Sequence, residues 1–242
     1  MTRFGSADVA FMLVNGMSIL GQQTEFEDSR EAVLEAVTVL GNANEEHQYV
    51  GVKSYECSQK GYYDDTANGN NAALVGAGGT KVYSIGLEGN TKGQIVICTT
   101  LAEVEYRRQI QRRELHKAAA TYKAMYGHDE ARILHALAAR TADGDTEATY
   151  YDGLAGSSAG GTGYLQVTAL TLDGYDDLLV TIEDSTDHAS WASLLSFTAA
   201  TGITGERKAV SGTVDRYLAV SWEFEGAGTS PSATFMVGFG RN

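Results

Sequence analysis

Residues 54–65 read SYECSQKGYYDD, and the way this stretch is read decides the fold. Tyr55 and Cys57 alternate with polar neighbours, the period-two pattern of a strand with one buried face. Gly61 breaks the run, and Tyr62, Tyr63, Asp64 and Asp65 lead out through a turn. Working outward, most of the chain repeats this grammar of short alternating runs and glycine-rich turns. The 242 residues include 28 Gly and a single Pro, Pro231. Scarce proline leaves nearly every backbone N–H free to donate, as a large hydrogen-bonded sheet requires.

Upstream of this stretch, residues 9–14 (VAFMLV) form a first strand ended by Asn15-Gly16, and residues 17–20 a second short piece. Residues 22–40 give mixed signals. Asp28-Ser29-Arg30-Glu31 could cap a helix carrying Val33, Leu34 and Val37, whereas Val37-Thr38-Val39 favours a strand. The expectation is a long excursion with one short helix or strand, followed by a polar loop at 41–48.

Downstream, residues 72–75 fit a short helix or turn closed by the glycines at 76–79. Residues 81–86 alternate as a strand, and 94–106 form the longest strand candidate, with Val96, Cys98, Ala102, Val104 and Tyr106 on one parity. Residues 115–126 read equally as helix or strand. Residues 128–140 look helical through Ile133, Leu134 and Leu137.

Gly and Ser crowd residues 153–163, the clearest compositional break, expected to be a flexible joint. Beyond it six strand candidates follow at turn-punctuated spacing: 164–171, 178–183, 193–198, 207–211, 216–224 and 233–239. In residues 217–224, Leu218, Val220, Trp222 and Phe224 share one face. The predicted class is mainly β: a β-sandwich or barrel with a short helix over residues 1–152, a linker at 153–163, and a C-terminal β-sandwich over 164–242.

The net charge is −13, with 14 basic and 21 acidic residues in 1–155 and 4 and 10 in 156–242. An acidic surface spread over both parts argues against a phosphate-neutralising nucleic-acid groove. Cys57 and Cys98 lie in strand candidates and are expected as buried free thiols. No apolar run approaches a membrane span, and no basic and apolar leader opens the sequence, so a protein made in a reducing cytoplasm is expected.

No catalytic, cofactor or metal set stands out. Residues 76–80 (GAGGT) lack the Gly-Lys-Ser/Thr that a phosphate loop needs at a helix start. Asp143, Asp145 and Glu147 lack the twelve-residue spacing of a calcium loop and read as a solvated turn. Residues 183–188 collect acids, hydroxyls and His188, with the look of a polar hairpin end. His116, His128 and His135 lie at intervals that do not suit zinc. Arg107, Arg108, Arg112, Arg113 and Lys117 are flanked by Glu103, Glu105 and Glu114, so local or inter-subunit ion pairs are the better reading of that cluster.

The order of elements across residues 5–140 resembles the tail tube (major tail) proteins of long-tailed bacteriophages. A strand ending in Gly-Tyr-Tyr-Asp-Asp, a short helix, a strand and a long strand carry the likeness. Residues 164–242 resemble a jelly-roll or galactose-binding-like sandwich through 180–187, Trp191 and 216–222. The resemblance implies a structural virion protein and not an enzyme, self-assembling into stacked, usually hexameric rings. These form a tube that conducts DNA from capsid to host without binding it specifically, assembled in the host cytoplasm. Its partners would be itself and other tail proteins (terminator, distal tail, tape measure), with no cofactor and no membrane. Residues 22–48 would be an arm reaching a neighbour and ordered on assembly. Candidate subunit-interface residues are Tyr62, Tyr63, Asp64, Asp65, Glu27, Glu31, Arg107, Arg108, Arg112 and Arg113. An alternative reading is carbohydrate binding by the C-terminal sandwich, with Trp191, Trp222, Tyr175 and Tyr217 as aromatic platforms.

Overall fold

The computed structural model describes residues 6–37, 47–75 and 79–242. The expected polar loop at 41–48 and the glycines at 76–79 therefore fall mostly outside the described residues. The chain is mainly β. In order it runs β1 (Phe11–Val14), β2 (Met17–Ser18), β3 (Gln23–Val37), β4 (His47–Tyr62), helix α1 (Asn70–Leu74), β5 (Thr80–Gly86), β6 (Ile95–Gln109) and β7 (Lys117–Arg140). Then follow β8 (Gly144–Asp145), β9 (Tyr151–Asp152), β10 (Gly161–Thr171), β11 (Tyr175–Ser185), β12 (Ala192–Ser196), β13 (Thr204–Val210), β14 (Tyr217–Gly226) and β15 (Ser232–Arg241).

Two antiparallel sheets result. The larger follows the path β13-β10-β15-β7-β6-β5-β1-β2, with β4 on β7 and β3 on β4; the smaller follows β12-β11-β14-β8, with β9 on β14. All six strand candidates beyond the Gly/Ser-rich stretch are strands. That stretch is not slack where it enters β10. A Cβ on Gly161 would stand 2.4 Å from the Phe239 ring, and one on Gly160 2.1 Å from the Val210 carbonyl oxygen. Because β15 pairs with β7, the large sheet runs without interruption from the first half of the chain into the second.

The larger sheet is buried on both faces along much of its length. One face gathers Phe11, Leu13, Val82, Val96, Cys98, Ala131, Ile133, Tyr164 and Met236. The other supports two further cores. Met12, Val14, Tyr83, Ile85 and Leu101 pack with Tyr55, Cys57, Tyr122 and the α1 residues Ala73 and Leu74. Leu165, Val167, Phe235 and Phe239 pack on the smaller sheet through Leu178, Val180, Leu218, Val220, Trp222 and Phe224. Cys57 and Cys98 are buried free thiols, and burial pushes each up to about 12.

Three expectations are corrected. Residues 128–140 are the second half of β7, not a helix. Ile133 and Leu134 are both buried although adjacent, because they enter cores on opposite faces of a two-sided sheet. A strand buried on both sides loses its alternation and imitates helical spacing. The region 115–126, ambiguous in sequence, belongs to the same strand from Lys117 onward. In 22–40 the strand reading prevails over the capped helix, since β3 exchanges its backbone bonds with β4 from Gln23↔Gly61 to Val37↔His47. Finally, the single parity expected for residues 94–106 fails after Cys98. Irregularities between Thr99 and Leu101, and again between Glu103 and Glu105, switch the faces. Val96 and Cys98 enter one core, Leu101 and Tyr106 another, and Val104 is left 57 % exposed.

Lys81, at the start of β5, is tied to the end of α1. Its Nζ donates to the carbonyl oxygens of Ala73 (2.5 Å) and Val75 (2.7 Å), neutralising the C-terminal end of α1. A lysine committed to these carbonyls is not presented to a phosphate.

Candidate assembly surface

The stretch 54–65 sits in a four-stranded layer, β3-β4-β7-β6, at one end of the molecule. β4 pairs with β7 from Glu56↔Lys123 to Tyr62↔Lys117, and β7 with β6 from Ala102↔Lys123 to Gln109↔Lys117. Tyr55, Cys57, Gln59, Ala118, Ala120 and Tyr122 turn to the core side. The opposite face is charged. Along one cross-strand row lie Arg107, Ala119, Lys60 and Glu25, with Lys60 bonded to Glu25 at 2.8 Å. In the next row are Glu105, Thr121, Ser58 and Glu27.

This layer has two free edges among the described residues. β3 pairs only with β4, so its outer side is open over Gln23–Val37. β6 pairs with β5 only as far as Ala102, so among the described residues 104–109 have strand partners on the β7 side alone. The two edges lie on opposite sides of the layer. Beyond Glu56, β4 leaves β7 and continues with β3 as a two-stranded ribbon.

The sequence-selected residues fall into two groups. Tyr62 and Tyr63 meet the basic cluster: the Tyr63 amide donates to the His116 carbonyl oxygen at 2.9 Å, and the Arg108 guanidinium lies 5.5 Å from the ring centres of both Tyr63 and Tyr106. Arg107, Arg108, Arg112 and Arg113 are all exposed on the β6–β7 hairpin. Two local ion pairs form there, Arg107–Glu105 at 2.5 Å and Lys117–Glu114 at 3.5 Å. Glu27 and Glu31 lie apart from this group, exposed on β3 opposite Ser58 and Ser54.

Asp64 organises the chain behind Tyr63. It accepts from the Thr66 amide at 3.0 Å and from the Gln22 side chain, and its carbonyl accepts from the Asn71 amide. The Thr66 backbone bond holds its carboxyl below the usual range. Asp65 lies on the same loop, exposed.

Sequence reading missed the apolar part of the hairpin tip. Ile110 and Leu115 are each 70 % exposed, flanking the turn that holds Arg112 and Arg113. Two exposed branched side chains beside five basic residues at 105–117 were the available signal.

The four aromatic residues of the carbohydrate reading do not form one platform. Trp222 is buried against His135 and Phe235, and Tyr175 packs on Phe224. Trp191 and Tyr217 do come together, joined by Tyr150 and His188, whose rings stack 5.0 Å apart. Among the described residues no group of three or more His, Cys, Asp or Glu side chains is placed to hold a metal ion, and no helix is long and apolar enough to cross a membrane.

No protein-family model matches the sequence, and no curated protein matches it. Several solved structures are similar in part, among them the following three. The tail of the empty GTA particle, refined with C6 symmetry, has 11% identity over 53% of this chain and 98% of its own, with a TM-score of 0.40. The virion of the native gene transfer agent particle gives 11% over 52% and 97%, also at 0.40. The SPP1 Dit protein, described as a hub of the adsorption apparatus in phages infecting Gram-positive hosts, gives 9% over 95% and 98%, at 0.35. At these levels the likeness identifies neither a family nor a role.

Proposed function

We propose that the chain is a structural virion protein of a tailed phage. Its copies join into rings, six to a ring in the family it resembles, and the rings stack into the tube that conducts DNA from capsid to host. The observation that carries this reading is the pair of open edges on the β3-β4-β7-β6 layer. Unpaired strand edges of this length drive association unless something covers them. Neither edge contains proline, the one Pro being Pro231. Since the edges are different strands on opposite sides, joining them between copies is a heterologous contact. Such contacts generate a closed ring once the rotation completes, and closure covers both of these edges. The β3–β4 ribbon, marginal alone, gains a partner in the same step. Further contacts would be made with the terminator, distal tail and tape measure proteins at the ends and inside of the tube.

Negative-stain microscopy of the purified chain is expected to show rings or tubes with a central channel. A monodisperse monomer at high concentration would overturn the proposal. The double variant Tyr62→Ala, Tyr63→Ala is expected to lower assembly by at least about tenfold, as truncation of aromatic interface residues does. Its melting temperature should stay within about 4 °C of the parent, since neither ring is in the core. Unchanged assembly would remove these tyrosines from the contact.

A further inference from the structure

The strand β7 has poles of opposite character. At its start, residues 105–117 carry five basic and two acidic side chains in a chain of net charge −13, with Ile110 and Leu115 exposed among them. At its end, 24 residues and about 75 Å of contour later, three segments converge. Residues 141–147 follow Arg140, residues 171–177 join β10 to β11, and residues 221–231 lead from β14 to β15. Together these segments hold eight acidic residues and no Lys or Arg.

The acidic end is also concave. A cleft of about 330 Å³ opens there, lined by the acidic Asp143, Asp145, Glu147 and Glu223 together with Leu179, Thr181, Ser221 and an edge of Trp222. The Asp143 carboxylate accepts from the Phe224 amide and the Asp145 carboxylate from the Glu147 amide, which fix the rim. Beside it Glu183 Oε2 is buried with no hydrogen-bond partner. Burial raises the Glu183 carboxyl above its usual range; a Ser221 hydrogen bond lowers it, and the nearby charges of Glu147 and Asp145 raise it again. The four carboxylates that line the cleft suit a cation with several donors, which a guanidinium supplies.

We infer that the basic tip of the β6–β7 hairpin of one copy docks at this acidic cleft of a second copy, with Arg112 and Arg113 facing the carboxylates and Ile110 and Leu115 covering Leu179. The inference rests on the self-assembly reading and supplies the contact that joins one ring to the next. Tip and cleft lie on one chain and far apart, so the contact repeats head to tail without limit.

Two charge-reversed variants test it. The first carries Arg112→Glu and Arg113→Glu; the second carries Glu147→Arg and Glu223→Arg. Followed by sedimentation velocity, each alone should lose axial association by at least about tenfold, because tip and cleft then repel. Mixed, they should recover it, since the acidic tip of the first fits the basic cleft of the second and the reverse pair also matches. Wild-type stacking should weaken steeply between about 50 and about 500 mM salt. Separate rings that no longer stack would uphold both readings. Tubes of either variant alone that match wild type, or folded variants that stay apart when mixed, would overturn this contact while leaving ring formation standing. Loss of rings in wild type itself would instead defeat the underlying proposal. Binding of a double-stranded DNA oligonucleotide that the first variant loses and the second keeps would reassign the tip to nucleic acid and also overturn it.

Discussion

Gly16→Ala is expected to destabilise the chain by about 4 kcal/mol or more, from left-handed strain and overpacking together. Gly16 sits at φ +80 beside Asn15 at φ +48 in the turn between β1 and β2. A Cβ there would lie 2.2 Å from the Val167 carbonyl oxygen and 2.8 Å from both Ile203 Cγ2 and the Thr204 carbonyl oxygen. These neighbours belong to the second half of the chain, two of them being backbone atoms that cannot swing aside. The turn is thus where the far strand of the large sheet's path returns to the near one. Gln166, fully buried, completes the junction. Its Oε1 accepts from the Gly16 amide at 2.6 Å, and its Nε2 donates to the Val82 carbonyl oxygen and to Ser84 Oγ, each at 3.1 Å. Gln166→Leu keeps the volume but strands the buried Gly16 N–H, costing about 1–3 kcal/mol. Urea unfolding of both variants checks this; a loss below about 1 kcal/mol for Gly16→Ala would show that the junction gives way without strain.

That junction also shows what a sequence of this kind conceals. Asn15-Gly16 is legible as a turn because only a few residue types accept positive φ. Its destination is not, since nothing local says that Val167 and Thr204 will close over it. The six C-terminal strands were legible because their alternation is clean. By contrast β7 was not, because two-sided burial and bulges place Ile133 and Leu134 in different cores while mimicking a helix. For the assembly surface, the basic cluster and the Tyr62-Tyr63 exit were each visible. Their meeting depended on the register Tyr62↔Lys117 between strands far apart in sequence. Asp143, Asp145 and Glu147 read as a solvated turn until β14 brought Ser221 and Glu223 beside them in one cleft.

The second large effect is a fall in stability on mild acidification, traced to His135. The ring is 2 % exposed, stacked on Phe235 at 4.3 Å and edge-on to Trp222 at 5.1 Å. Its Nε2 accepts from Arg140 Nε at 2.9 Å, so the proton resides on Nδ1, which donates to the Phe235 carbonyl oxygen at 3.2 Å. Burial, and then the Arg140 charge, push its pKa down to about 4. In the unfolded chain a histidine titrates near 6.5. Above that value both states are neutral and the stabilisation is fully present. As pH falls from about 6.5 towards 4 the unfolded state gains a proton that the folded state refuses, so stability declines by up to about 3 kcal/mol and the decline from this group stops below 4. His135→Asn retains a donor for Phe235 but cannot titrate. It should cost about 1–3 kcal/mol at pH 7.5 for the lost contacts with Arg140 and the stacked rings. Its stability should then fall less steeply than wild type between pH 6.5 and 4.5, while His128 and the carboxylates titrate alike in both proteins. Parallel curves over that interval would mean that the ring takes up its proton in place, with Arg140 swinging away from it and no charge on the imidazole being refused.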